Sequence, residues 1–158
     1  MRIAVGCDHN GVELKLHVID LLQELGHESQ DFGCYDSNSV DYPDVAREVA
    51  IAVGESRFDQ GLLICGTGIG MSIAANKVPG VRAALCQDPF SARMAREHNN
   101  ANVLCLSGGA VDEQSAREIV SAYLEGRFQG GRHARRVDKI SSMERTAALE
   151  TSKTSRPG

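Results

Sequence analysis

The stretch Cys65-Gly66-Thr67-Gly68-Ile69-Gly70 sets a titratable thiol beside glycines at alternate positions. Gly61–Ile64 before it reads as a buried strand and Met71–Lys77 after it as a helix start, so the loop falls where a parallel strand hands over to a helix. Alternating glycines let successive amides point inward, and a helix N-terminus adds partial positive charge. Such a nest suits an anion, either a phosphate or a transient oxyanion. Other residues with chemical potential are Asp8 and His9 after the first apolar run, and His98 and Asn99 at the end of a helical pattern. Arg132 and Arg136, four apart, share a face on a helix and can grip one phosphate. Each has a plainer reading. A strand-end cysteine is commonly a small buried hydrophobe. Asp8 can cap the next helix while His9 sits on the surface, His98 can be a helix C-terminal cation, and the arginines can form a solvated face.

The elements that must position these residues alternate along the chain. Arg2–Cys7 is strand-like, and Val12–Leu25 carries apolar residues at broadly helical spacing before a stop at Gly26. Glu28–Gly33 is a weak strand, followed by a helix through Val45, Val49, Ala52 and Val53 with Pro43 near its first turn. Gly61–Cys65, Arg82–Cys86 and Asn102–Leu106 are further short strands, separated by helices over Met71–Lys77 and Pro89–Glu97. A helix over Glu113–Leu124 follows, then a basic stretch from Arg132 and a helical pattern over Val137–Leu149. This order predicts a three-layer α/β/α, Rossmann-like domain with a five-stranded parallel sheet and a C-terminal helix. In such sheets ligands bind at the carboxyl ends of strands, which puts Asp8, His9 and the Cys65 loop on one rim. His98 and Asn99 come from the same chain or a neighbour. The domain is expected over residues 1–146, with 147–158 as a disordered tail.

At 158 residues and 42% hydrophobic content, the chain is long enough for one well-buried core and too short for two ordinary domains. Its net charge of −4 disfavours nucleic acid as a partner, and no apolar run approaches the length of a membrane span or a signal peptide. A small-molecule ligand and a soluble, intracellular protein are expected. The five cysteines are odd in number and form no C-x-x-C pair, which argues against a disulfide framework or a structural zinc site and fits a reducing cytoplasm. Cys7, Cys86 and Cys105 read as core and Cys34 as a loop residue. His17 and His27 read as structural or surface, and His133 receives no role.

Five separated motifs together resemble the ribose-5-phosphate isomerase B family, which also includes galactose- and allose-phosphate isomerases. They are Gly6–His9, Asp41–Pro43, Ile64–Gly70 with Ser72–Lys77, Glu97–Asn99, and Gly130–His133 with Arg136. The likeness runs in order from residue 1 to about residue 145. It implies interconversion of an aldose phosphate and a ketose phosphate without metal or cofactor, with ribose 5-phosphate and ribulose 5-phosphate as the default pair. His98 is implied as the ring-opening residue, assisted by Asp8, and Cys65 as the base that moves the proton between carbons. The amides of Gly66, Gly68 and Gly70 would hold the enediolate, and Thr67 would orient a sugar hydroxyl or relay a proton. His9, Arg132 and Arg136 would hold the phosphate, and Tyr42 and Asn99 would contact the sugar. The resemblance also implies a homodimer with His98 and Asn99 contributed across the interface, with tetramers as an extension.

Two positions bear on subtype. Some family members replace the cysteine with a glutamate farther along the loop; Met71 stands there, so this chain is of the cysteine type. Many members carry an arginine after the last strand that reaches toward the phosphate, whereas this chain reads Ser107-Gly108-Gly109-Ala110. Loss of that contact weakens phosphate binding or admits a different sugar, so a six-carbon sugar phosphate stands as the alternative substrate. A dinucleotide-binding oxidoreductase is disfavoured because Gly66-x-Gly68-x-Gly70 lacks the G-x-G-x-x-G spacing and does not follow the first strand. A noncatalytic sugar-phosphate-binding subunit would keep the arginines and the nest, but retention of Cys65, Thr67 and His98 favours catalysis.

Overall fold

Hydrophobic alternation along the inner strands divides the chain's apolar residues between two faces of one sheet. The computed structural model describes residues 1–154. Its strands are β1 (Arg2–Cys7), β2 (Glu28–Asp31), β3 (Gln60–Cys65), β4 (Ala83–Leu85) and β5 (Val103–Ser107). The helices are α1 (Val12–Glu24), α2 (Tyr42–Gly54), α3 (Ile69–Ala75), α4 (Pro89–Asn99), α5 (Glu113–Glu125) and α6 (Arg132–Thr154). All strand pairs are parallel, in the order β2-β1-β3-β5-β4. Ile3, Val5, Leu62, Ile64, Leu104 and Leu106 face a core closed by α1, α4 and α5. Ala4, Leu63, Cys65, Val103 and Cys105 face the other, closed by α2 and α3. Every residue of β3 is buried, as a central parallel strand covered on both faces requires.

The expected three-layer sheet is therefore present, and its winding locates the site. From β1 the chain moves outward to β2 and then returns to the other side of β1 as β3, so the direction of winding reverses between β1 and β3. Ligands in open α/β sheets sit in the crevice beyond the carboxyl ends of the strands at such a reversal. Asp8 follows β1 directly, and Cys65 is the last residue of β3.

Several element ends differ from the sequence expectation by one or two residues, and two boundaries near the C-terminus differ by more. The last helix begins at Arg132 rather than Val137, because consecutive left-handed residues, Gly130 (φ +64°) and Gly131 (φ +56°), turn the chain back before it. It continues to Thr154, across the expected boundary between 146 and 147, and packs against α4. The last four residues of the expected tail, 155–158, lie outside the described residues. No helix among the described residues is long and apolar enough to cross a membrane.

Candidate active site

β1 and β3 run side by side with Cys7 opposite Ile64, so the residues after them emerge together. The Asp8 amide donates to the Ile64 carbonyl (3.0 Å), and Asp8 Oδ1 accepts from the Asn10 amide (2.9 Å), which fixes a largely buried carboxylate beside the thiol strand. His9 is held from two sides: the Val40 amide donates to Nδ1 (3.4 Å), and the Asn10 side-chain amide lies 3.3 Å from Nε2.

Gly68 shapes the loop after Cys65. Its φ of +75° is left-handed, and a Cβ there would stand 2.5 Å from Leu85 Cδ1 and 2.9 Å from the Leu106 carbonyl oxygen. That conformation aims the Gly68 amide at Cys65 Sγ, 3.2 Å away. Cys65 is only 4% exposed. Thr67, exposed at the loop tip, accepts from the Ile69 amide through Oγ1 (3.3 Å). Gly70 lies against the Tyr42 ring, whose Cζ would be 2.5 Å from a Cβ at that position. The far side of the loop is tied to the end of β5. Gly108 N donates to the Cys65 carbonyl (2.8 Å), while Ser107 Oγ (2.8 Å) and Gly109 N (3.1 Å) both donate to the Gly66 carbonyl. The loop leads into α3, which is only seven residues long, so a helix macrodipole adds little to what the loop amides can offer an anion.

Asp8, His9, Tyr42, Cys65, Gly66, Thr67, Gly68 and Gly70 thus gather at one rim within a single chain. His98, Asn99, Arg132 and Arg136 do not join them. His98 and Asn99 close α4, which leads into the start of β5, where Val103 pairs with Gly61, four positions before Cys65. That separation is roughly 13 Å of strand, from one end of the sheet to the other. At this opposite end α6 begins, with Arg132 and Arg136 exposed one turn apart. Exposed Asn99 opens on a cleft of about 660 Å³, whose lining includes Lys77, Arg82 and Glu144.

The remaining thiols behave as core groups. Burial pushes Cys7 up to about 11, against a lowering effect of Lys15, and burial also raises Cys86 and Cys105. Cys34 lies in the loop after β2, where its thiol donates to the Asp36 carbonyl (3.0 Å).

Sequence reasoning missed four residues that shape these groups. Asn10 stands over Gly66, and Ser107 anchors it. His133, only 7% exposed, stacks on His98. Lys15 is 1% exposed, lies 2.8 Å from both Asp31 oxygens, and donates to the Cys34 carbonyl, which holds the β2–α2 loop that reaches His9. Only Asn10 and Ser107 carried a signal, through adjacency to Asp8-His9 and to the end of a strand.

A thiol, a largely buried carboxylate and a glycine loop meet at the reversal of a parallel sheet, the place where open α/β proteins bind their ligands. The model of the Ribose/Galactose Isomerase family matches residues 3–140, and the chain belongs to that family. Ribose-5-phosphate isomerase B of Escherichia coli strain K12 is 46% identical over 143 residues, covering 90% of this chain and 96% of that protein. D-erythrulose-4-phosphate isomerase of Pectobacterium atrosepticum is 42% identical over 146 residues, covering 91% and 95%. The solved structure of Clostridium thermocellum ribose-5-phosphate isomerase B superposes with a TM-score of 0.91 at 50% identity, covering 93% of this chain and 99% of that one. The protein is a sugar-phosphate isomerase.

Proposed function

We propose that this isomerase interconverts ribose 5-phosphate and ribulose 5-phosphate by proton transfer through an enediolate, with Cys65 as base and neither metal nor organic cofactor. The observation that carries the reading is the 3.2 Å contact between the Gly68 amide and Cys65 Sγ, which sets the thiol on the lip of an amide nest. His98, with Asp8, moves the proton between the ring oxygen and the anomeric hydroxyl so that the furanose opens; an imidazole titrates in the range this needs. Cys65 then takes the proton from the carbon bearing the aldose's second hydroxyl. The negative charge passes to oxygen, where the Gly66–Gly70 amides meet it. Thr67, at the loop tip, orients a hydroxyl or relays its proton. The same sulfur returns the proton to the neighbouring carbon, which leaves the ketose. Tyr42 and Asn99 contact the sugar.

Because His98, Asn99, Arg132 and Arg136 stand at the end of the sheet away from Cys65, a complete site needs a second copy. A homodimer that apposes the carboxyl rim of one chain to the α4 terminus of the other provides it. There His9 of one chain and Arg132 and Arg136 of the other share the phosphate. The free state of all five cysteines supports action in a reducing cytoplasm.

Gly109 favours a second reading. A Cβ at this position would be 3.0 Å from the Gly66 carbonyl oxygen, and the family resemblance implies an arginine here in many members, whose absence would leave the phosphate with one contact fewer. A sugar of another length, such as allose 6-phosphate, galactose 6-phosphate or the tetrose phosphate handled by the Pectobacterium relative, is the competitor. Purified protein assayed with chelator on these sugars is expected to prefer ribose 5-phosphate. Turnover abolished by chelator would contradict the mechanism, and no turnover of any sugar would leave only binding.

A further inference from the structure

The imidazoles of His98 and His133 lie face to face, with centroids 4.1 Å apart and planes 7° from parallel. The contact is built from both sides. Gln129 is clamped to the residue before His98, its backbone amide donating to the Glu97 carbonyl (3.0 Å) and its side-chain amide to Glu97 Oε2 (2.8 Å). The two left-handed glycines then reverse the chain, the His133 amide donates to the Gly130 carbonyl (3.0 Å), and the ring is delivered onto His98. His133 is buried, whereas its neighbours Arg132 and Arg136 are exposed.

We propose that His133 is a positioning residue for ring opening: its flat, buried face covers one side of the His98 imidazole and fixes the plane in which the His98 nitrogens can meet the sugar. The assignment rests on the ring-opening role given to His98 above. Covering one face of the ring removes its freedom to tilt, and misplacement of a reacting group by about 1 Å costs about 100-fold in rate. Burial, together with His98, Arg132 and Arg136, holds His133 below the usual imidazole range, so the covering ring stays neutral near pH 7.

The test uses a chemical difference between the two sugars. Ribose 5-phosphate is a closed furanose. Ribulose 5-phosphate is open-chain, because the hydroxyl that would close a five-membered ring onto its carbonyl is esterified. A defect confined to ring opening therefore slows ribose consumption and spares initial turnover of ribulose, whose open aldehyde product can leave and close in solution. In the full-length protein, His133→Ala is expected to lower kcat on ribose 5-phosphate roughly 10- to 100-fold. Its ribulose turnover should stay within about threefold of wild type, and His133→Phe, which keeps a flat ring, should recover most of the ribose rate.

Equal losses on both sugars, an unchanged ribose rate in His133→Ala, or His133→Phe as slow as His133→Ala would each overturn the proposal. His98→Ala separates this proposal from the reading beneath it. If that variant loses both directions alike, the ring-opening role of His98 falls and takes this assignment with it. If it loses ribose turnover selectively while His133→Ala does not, only this assignment fails.

Discussion

Cys65 and Ser107 form the last rung of the β3–β5 ladder, and the Ser107 hydroxyl reaches past it to hold the Gly66 carbonyl at 2.8 Å. The loop's ties to the end of β5 run through backbone and Ser107, and the sulfur takes part only in the contact with the Gly68 amide inside the loop. Cys65→Ala is therefore expected to leave the β5 anchors of the loop standing while removing the proposed base: kcat falls about 1,000-fold or more, and sugar-phosphate affinity by calorimetry stays within about threefold. Substantial residual turnover in the purified variant would remove the thiol from its assigned role.

Gly68 tolerates no side chain on two counts, its left-handed φ and the walls formed by Leu85 and Leu106. Gly68→Ala is expected to cost about 2 kcal/mol or more, read as a lowered urea midpoint. Turnover should fall even at temperatures where the variant remains folded, because the amide that faces Cys65 moves.

Lys15→Met tests the buried amine. The substitution keeps most of the aliphatic side chain but removes the Nζ donor shared by the Asp31 carboxylate and the Cys34 carbonyl, which are left with the Gly33 amide and the Cys7 thiol. A loss of about 3 kcal/mol is expected, at the low end for a broken buried pair because Asp31 is partly exposed. A midpoint equal to wild type would show that water replaces the amine at no cost.

Stability should also fall on mild acidification. The His133 imidazole is held below its ordinary value of 6.5 in the folded protein, chiefly by burial. Below that value the unfolded chain binds the proton first, so stability is full above about pH 6.5 and is lost as pH falls toward the folded-state value. His27 is shifted the same way by burial. Urea midpoints at about pH 7.5 and about pH 5.5 should diverge less in His133→Phe than in wild type, and an unchanged divergence would remove His133 as a source.

Mixing two inactive variants tests the shared site. If the site is shared as proposed, Cys65→Ala and His98→Ala dimers each lack one half of every site. A mixed dimer keeps one intact site out of two, and random exchange makes half the dimers mixed, so about a quarter of wild-type activity should return. Recovery of none, with exchange confirmed by native mass spectrometry, would place both residues in one chain's site.

What was legible depended on how local each signal was. β3 announced itself as an unbroken apolar run, and the glycine spacing after Cys65 located the rim residues before any fold was known. The α6 start is hard to read from sequence because a basic stretch with one buried histidine has no clear apolar period, and the glycine pair that launches the helix reads equally well as loop. Lys15 was invisible for a different reason. A lysine in an amphipathic helix is normally solvated, and only the later positions Asp31 and Cys34 reveal that this one is not. His133 carries no local signal because the meaning of its ring lies in a stack with a residue from another helix.

The walls around Gly68 also impose an order on assembly. Leu85 and Leu106 press on the loop, and Ser107, Gly108 and Gly109 bond it, yet all of them are synthesised after Cys65. A growing chain that has made β1, α1 and β3 already carries the thiol but has nothing against which to bend the amides toward it. The contact between the Gly68 amide and the thiol is complete only when β5 docks beside β3 and its terminal turn closes over Gly66. Closure of the sheet's later half is therefore expected to complete the nest in the same step.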